Sequence, residues 1–370
     1  MNRRKRNFPY LNKLADLRRA ESIPSLYLVE STHRPTQKDV ARTAGVTQAT
    51  VSLALRNHSD VSAETRTRIQ TIARDLGYSP DPYLAGLAAY RKTRRPTKFQ
   101  ASLAWLSNYP AGQSWRNFPA FRGYFEGATA RARELGYRLE EFRLHSPGMT
   151  CPRMENILAA RNISGLLVAP QPLAGTKLNF NFDRFSAVTF GYTLAEPQLH
   201  VTALNMFRSM ETVFRRLIAL GYRRPGLALA AESDWRADRH WSAAFWTEQQ
   251  NLPADRRVPL LLGQPLERQT FLAWFKRHEP DVVVAIWPEV LAWLAEAGVT
   301  VPETVGLALL TVPDGGVLYS GMWENPQMIG AKAVEFLVDL THRTERGRPQ
   351  VPLTMLVDGT WVAGKTVRPP

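Results

Sequence analysis

Apolar residues return along this chain with two different rhythms, and the change of rhythm divides it. Between about residues 35 and 79 they recur every three or four positions: Val40 with Ala44, Val51 with Leu55, then Ile69, Ile72, Ala73 and Leu76. That spacing predicts three short amphipathic helices. From about residue 99 onward, continuous apolar runs alternate with helical stretches. The runs predict strands over Ala101–Ser107, Ile163–Pro170, Ala187–Tyr192, Gly226–Ala231, Asp281–Trp287 and Val305–Val312. Helices are expected over Phe121–Leu135, Phe207–Leu220, Asp238–Gln250, Glu267–His278 and Pro326–Thr341, with Gly136, Gly221 and Gly298 placed to end helices. Repeated β-α units with unbroken apolar strands imply parallel sheets covered on both faces, and some 270 residues suit two subdomains with a cleft between them. Residues 1–34 carry no sustained period and read as a basic extension; 80–98 read as a linker holding one short helix.

The helical segment contains an abrupt corner. Thr36 and Asp39 are spaced as an N-cap and its reciprocal acceptor. Gly45 can take the positive φ that stops the first helix, Val46 can plug the turn, and Thr47 can cap a second helix at once. Val51 and Leu55 are expected inside, with Gln48, Ala49, Thr50 and Ser52 outside. Ser62 is the expected N-cap of the third helix, which stops at Gly77. Two helices joined this tightly form a helix-turn-helix, which holds its second helix out as a rigid probe for a DNA major groove.

Charge agrees with a polyanion partner. Of a net +14, residues 1–98 hold 19 Lys and Arg against 8 Asp and Glu, so the remainder is close to neutral. A single cysteine, Cys151, leaves no intrachain disulfide and fits a reducing cytoplasm. No run of eighteen apolar residues is present, so no membrane span is expected, and MNRRKRN is followed by charges where a signal peptide needs an apolar stretch.

The stretch KDVARTAGVTQATVSLALRN…VSAETRTRIQTIARDLGYSPD closely resembles the DNA-binding headpiece of the lactose-repressor (LacI/GalR-type) family. The resemblance implies an all-α helix-turn-helix headpiece at 35–79, a hinge helix and linker at 80–98, and an α/β core at 99–370. That core is a periplasmic-binding-protein-like (type I) pair of doubly wound parallel sheets. The expected division is an N-subdomain of about 99–198 plus 324–342 and a C-subdomain of about 199–323 plus 343–370. The resemblance also implies that Gln48, Ala49 and Thr50 read base edges and that Thr47 and Ser52 meet phosphate. Thr36, Leu53 and Arg56 lie in the same DNA-facing set. Leu53 stands where the family commonly has a polar residue, so operator preference should be atypical. Leu87 matches the hinge leucine that wedges into the minor groove beside its dimer mate, with Pro82 and Leu84 as departures from the hinge pattern. Partners implied are double-stranded operator DNA, a second copy of the chain, and a small-molecule effector; a bacterial cytoplasmic, nucleoid-associated location follows.

In the core, FEGATARARELGY, ISGLLVAP, RRLIALGYRRPGLAL and NPQMIGAKAVEFLVDL carry a looser resemblance. By motif position, Phe121 matches an aromatic effector contact and Arg239 the arginine that clamps effector polar groups. The family's strand-end Asn-Asp pair is replaced by Ile286-Trp287-Pro288, and its later aspartate by Thr311. Trp287 can stack on an apolar sugar face, but the lost amides and carboxylates weaken the carbohydrate that is the family's default effector. An effector-independent regulator is one alternative; an enzyme fused to a DNA-binding module is the other. Against the enzyme, Cys151 lacks a nucleophile motif, the histidines lack metal-ligand spacing, and no Gly-rich phosphate loop or G-x-S-x-G elbow occurs. No cofactor is expected.

Overall fold

The computed structural model of the chain describes residues 35–55, 60–78, 101–313, 315 and 317–369. It comprises two compact units, one within residues 1–82 and the other within 83–370. The expected roles of the 1–34 extension, of Arg56, and of the hinge with Leu87 lie outside the described residues.

The first unit is a three-helix bundle: α1 (Gln37–Ala44), α2 (Gln48–Leu55) and α3 (Ala63–Asp75). The Thr36 amide and hydroxyl both donate to the Asp39 carboxylate, at 2.9 and 2.7 Å, which anchors the start of α1. Gly45 ends that helix at φ 66°, a left-handed conformation that costs glycine little. Thr47 then accepts the Thr50 amide at 3.1 Å, satisfying an orphan donor of α2. The core consists of Val40, Ala41, Ala44, Val51, Ala54, Val61, Ile69 and Ala73. Two expected core positions differ. On α2 it is Ala54 that is fully buried beside Val51, with Leu55 only half-buried, because a helix turning 100° per residue places the position three along as squarely inside as the one four along. On α3, Leu76 is exposed, since the helix has already ended at Asp75, and Tyr78 packs in the space beyond the turn.

The second unit runs β1 (Ala101–Ser107), α4 (Pro119–Glu134), β2 (Tyr137–Arg143), α5 (Cys151–Ala160), β3 (Gly165–Val168), β4 (Thr176–Lys177), β5 (Ser186–Phe190), β6 (Leu194–Glu196), β7 (His200–Leu204), α6 (Met206–Ala219), β8 (Pro225–Ala230), α7 (Ala231–Arg236), α8 (His240–Gln249), β9 (Leu261–Gly263), α9 (Arg268–His278), β10 (Val282–Ala285), α10 (Glu289–Glu296), β11 (Gly306–Leu309), β12 (Ser320–Trp323), α11 (Pro326–Arg343), β13 (Thr354–Val357) and β14 (Thr360–Val362). Two six-stranded sheets result, ordered β13-β7-β5-β3-β1-β2 and β14-β12-β11-β10-β8-β9. All pairings within them are parallel except β12 with β14. Alternate residues of the central strands go to opposite faces. Leu103 and Trp105 of β1 pack with Ala128 of α4 and Leu337 of α11, while Ala104 and Leu106 pack with Met154 and Leu158 of α5. In the second sheet Val282 and Val284 pack on the face holding Val213 and Leu217 of α6, and Val283 and Ala285 on the face holding Phe271 of α9 and Leu294 of α10. Both sheets are therefore doubly wound.

Each sheet defines a lobe, and the lobe boundaries differ from the sequence expectation. Strand β7, placed in the C-subdomain from sequence, pairs with β5 and belongs to the first lobe; β13, also assigned to the C-subdomain, pairs with β7. Apolar pattern identifies a strand but not its neighbour, and β13 is a half-exposed edge strand whose side-chain pattern gave no hint of its partner. The chain thus passes between lobes at Asn205, at Glu324-Asn325 and at Asp358-Gly359. Side chains tie these crossings together: Asn205 Nδ2 donates to Asp358 Oδ1 (2.9 Å), and Asn325 Nδ2 to the Asp358 carbonyl and Thr360 Oγ1 (both 3.0 Å).

Glu324 sits at one of these crossings with its Oε2 buried and without a hydrogen-bond partner among the described residues. Burial lifts its carboxyl from 4.5 to about 7. Between those values the folded chain holds a proton that the unfolded chain releases, so stability falls as pH rises through that window, by about 3 kcal/mol in all. Glu324→Gln is expected to remove most of this slope and to raise the melting temperature at pH 8, as thermal unfolding from pH 4.5 to 8 will show. A slope unchanged by the substitution would place the titration elsewhere.

Candidate nucleic-acid interface and interlobe cleft

In the three-helix unit, the face of α2 turned away from the core begins with Gln48 and Ala49, both exposed, and continues through the half-buried Thr50 and Ser52. Thr36 and Thr47 are exposed at the starts of their helices. Their side chains are already engaged, Thr36 with Asp39 and Thr47 with Thr50 (Oγ1···Oγ1 2.8 Å). These contacts fix the two N-termini, whose remaining amides carry the partial positive charge that suits a phosphate. Leu53, which belongs to the expected DNA-facing set, is half-buried and also packs against the unit's own core. Gln70 Nε2 on α3 donates to the Ala54 carbonyl at 3.1 Å, tying the end of α2 to the bundle. A short helix held at both ends presents the long amide side chain of its first solvent-facing turn from a rigid support.

In the core, strand order turns back between β1 and β3 in the first lobe and between β8 and β10 in the second, so each lobe has a topological switch point at its strands' carboxyl ends. Side chains beyond those ends face one another across a cleft. The first lobe contributes Tyr109 and Gln171 beyond β1 and β3, and Phe118 and Phe121 at the start of α4. The second contributes Arg236 at the end of α7. Arg236 donates from Nη1 to the Pro172 carbonyl (2.8 Å) and from Nη2 to the Gln171 carbonyl (3.0 Å). Its guanidinium carbon lies 5.7 and 5.9 Å from the Phe118 and Phe121 ring centroids, within cation–π range. Burial raises the Tyr109 hydroxyl's pKa and the neighbouring Arg236 charge partly offsets this. Beside this contact, Tyr192 of the first lobe packs on His240 of the second, with ring centroids 4.8 Å apart.

The four cleft residues expected from sequence are distributed around this seam. Phe121 is half-buried against Arg236. Arg239 is exposed, at φ 61°, as the N-cap of α8 next to His240. Trp287 and Thr311 lie two residues beyond Ala285 and Leu309, which pair in register, so both sit at the second lobe's strand ends. Trp287 is 41% exposed, and no ring contact joins it to Phe121 among the described residues. Sequence reasoning missed Arg236, Tyr109, Gln171, Tyr192 and His240. Arg236 and Arg239 stand three apart in the same short segment, and only the turn between α7 and α8 shows which of them crosses the cleft. Among the described residues no group of His, Cys, Asp and Glu could hold a metal, and no helix is long and apolar enough to cross a membrane.

Comparison with known proteins places both parts. Residues 36–81 match the model of the bacterial regulatory proteins, lacI family. Over 47 residues the chain is 53% identical to the HTH-type transcriptional repressor CytR of Escherichia coli, a match spanning 13% of this chain and 14% of that repressor. Over 59 residues it is 42% identical to the HTH-type transcriptional regulator GntR of Pseudomonas aeruginosa, or 16% and 17% of the two chains. Its fold is like that of the transcriptional regulator CelR in its cellobiose complex (TM-score 0.50, 18% identity, 90% of this chain and 100% of that one). It is also like the lac repressor dimer bound to operator and the anti-inducer ONPF (TM-score 0.50, 17% identity, 90% and 99%). These relatives are regulators of transcription, not enzymes. Residues 36–81 thus carry the lacI-family DNA-binding segment, and the two-lobed core that follows shares the fold of these regulators.

Proposed function

We propose that this protein is a sequence-specific transcriptional repressor that binds operator DNA as a homodimer and responds to a small molecule held between the core lobes. The observation that carries the DNA-binding half is the exposed first turn of α2, with Gln48 and Ala49 on a helix fixed at both ends. Gln48, Ala49 and Thr50 read base edges; Thr36, Thr47 and Ser52 meet phosphate, and Leu53 adds the apolar surface that its own core leaves uncovered. Arg56 and the Leu87 hinge complete the contact in the operator-bound dimer. Two copies match two half-sites of a pseudo-palindrome, since the symmetry of the dimer is repeated in its site. Such a regulator works in the bacterial cytoplasm.

The effector half rests on the cleft at the two switch points, where open α/β sheets take ligands. Phe121, Arg239, Trp287 and Thr311 line it. Thr311 supplies one hydroxyl where a carboxylate would hold two sugar hydroxyls, so a sugar, if it is the ligand, is gripped by stacking and by Arg239 more than by acidic side chains. Ligand binding that favours one lobe arrangement shifts operator affinity by the difference in its affinity for the two states. A metabolite panel scored by operator affinity tests this: at least one compound is expected to change affinity fivefold or more, and Arg239→Ala to abolish that response while sparing ligand-free DNA binding. Constant affinity across the panel would leave an effector-independent regulator.

A further inference from the structure

We infer that Arg236 is a latch that holds the two lobes together, so that the cleft between them is closed by the chain's own side chain. Among the described residues, each hydrogen bond and cation–π contact of this guanidinium is with the opposite lobe. It bonds the carbonyls of Gln171 and Pro172, lies beside the rings of Phe118 and Phe121, and neighbours the Tyr109 hydroxyl. No carboxylate pairs with it among the described residues.

Both halves of the latch are built rigid. On the receiving side Gln171 is fully buried: its amide donates to Thr193 Oγ1 (2.8 Å), its side-chain Nε2 to the Ala169 carbonyl (2.7 Å), and its Oε1 accepts from Asn108 (2.9 Å). Prolines at 170 and 172 stiffen the same segment, so the two carbonyls are presented as a fixed pair. On the donating side, the buried Asp234 carboxylate accepts the Ser242 amide (3.0 Å) and hydroxyl (2.7 Å), which clamps the α7–α8 junction. A planar fork meeting two preset acceptors loses little freedom on binding, which is the advantage of arginine over lysine here. The Ala174 amide, directed at Glu232 of the second lobe (3.4 Å), and the Tyr192–His240 pair flank the latch along the same seam.

This inference deepens the cleft reading above and rests on it for one consequence: a ligand that seats against Phe121 must displace the guanidinium. The latch itself needs no ligand, and it is tested without one. Full-length protein, wild type and Arg236→Ala, is compared by small-angle scattering and by hydrogen exchange, with the exposed Arg277→Ala as control. Arg236→Ala is expected to enlarge the radius of gyration and to speed exchange across residues 170–176 about tenfold, while Arg277→Ala matches wild type. Arg236→Lys keeps the charge but not the fork, so it should fall between them, and it carries the test should the alanine variant not fold. Wild-type dimensions and wild-type exchange in both Arg236 variants would overturn the latch. An effector-blind regulator would still show the latch, so its failure and that of the effector reading are separable.

Discussion

Gly330→Val is expected to unfold the first lobe. A Cβ at residue 330 on α11 would lie 1.9 Å from the Tyr124 carbonyl oxygen and 2.8 Å from the Ala128 nitrogen of α4. The contact is reciprocal: a Cβ at Gly127 would lie 1.9 Å from the Gln327 carbonyl oxygen, and one at Gly123 would lie 2.7 Å from Pro326. The helices therefore cross backbone against backbone, with no flexible side chain to give way. Ordinary overpacking costs about 1–3 kcal/mol when side chains can shift; here a helix must move, and with it the Ile329, Ala333 and Leu337 face packed into the core. A loss above about 3 kcal/mol is a large fraction of a typical domain's stability. Urea unfolding will show it as a midpoint shifted far down or a chain unfolded in water. A midpoint within error of wild type would mean the two helices do not pack so closely.

The second large effect concerns reading. Gln48→Ala removes the one long amide on the exposed first turn of α2 and touches none of the buried headpiece residues. A bidentate amide–base contact is worth about 1–3 kcal/mol of discrimination, so the preferred operator should lose roughly 10- to 100-fold in affinity while unrelated DNA loses little. The slope of affinity against salt should stay near wild type, because phosphate contacts set it. Equal weakening on every sequence would make Gln48 a backbone contact instead.

Much of this was legible in the chain. The strand runs at 101–107, 282–285 and 306–309 are fully apolar or nearly so because both faces of each sheet are covered, and such runs announce themselves. The headpiece corner was legible for a different reason: Gly45 and Thr47 are local chemistry, needing no distant partner. What sequence hid was pairing across distance. The lobe assignments of β7 and β13 depend on which strand lies alongside. The Gly123 and Gly127 pair, visible in RGYFEGATA, excluded a phosphate loop but did not reveal the helix that crosses there. Arg239, the arginine expected at the cleft, is exposed beside it, whereas Arg236, three residues earlier, spans the gap; a left-handed pair at Asp238 and Arg239 sets this, and although aspartate visits that conformation occasionally, an arginine does not advertise it. The sharing of Leu53's surface with its own helix bundle is likewise set by packing, which the residue type does not reveal.

Central to this account is that the headpiece reads a specific operator as one half of a symmetric dimer. Selection of duplexes from a random pool by the full-length protein, at a fixed salt concentration, tests it most directly. Enrichment of a single pseudo-palindrome bound by two chains is expected, with Gln48→Ala relaxing the same positions in each half-site. A pool left unenriched, or a selected site with no internal symmetry bound by one chain, would contradict it.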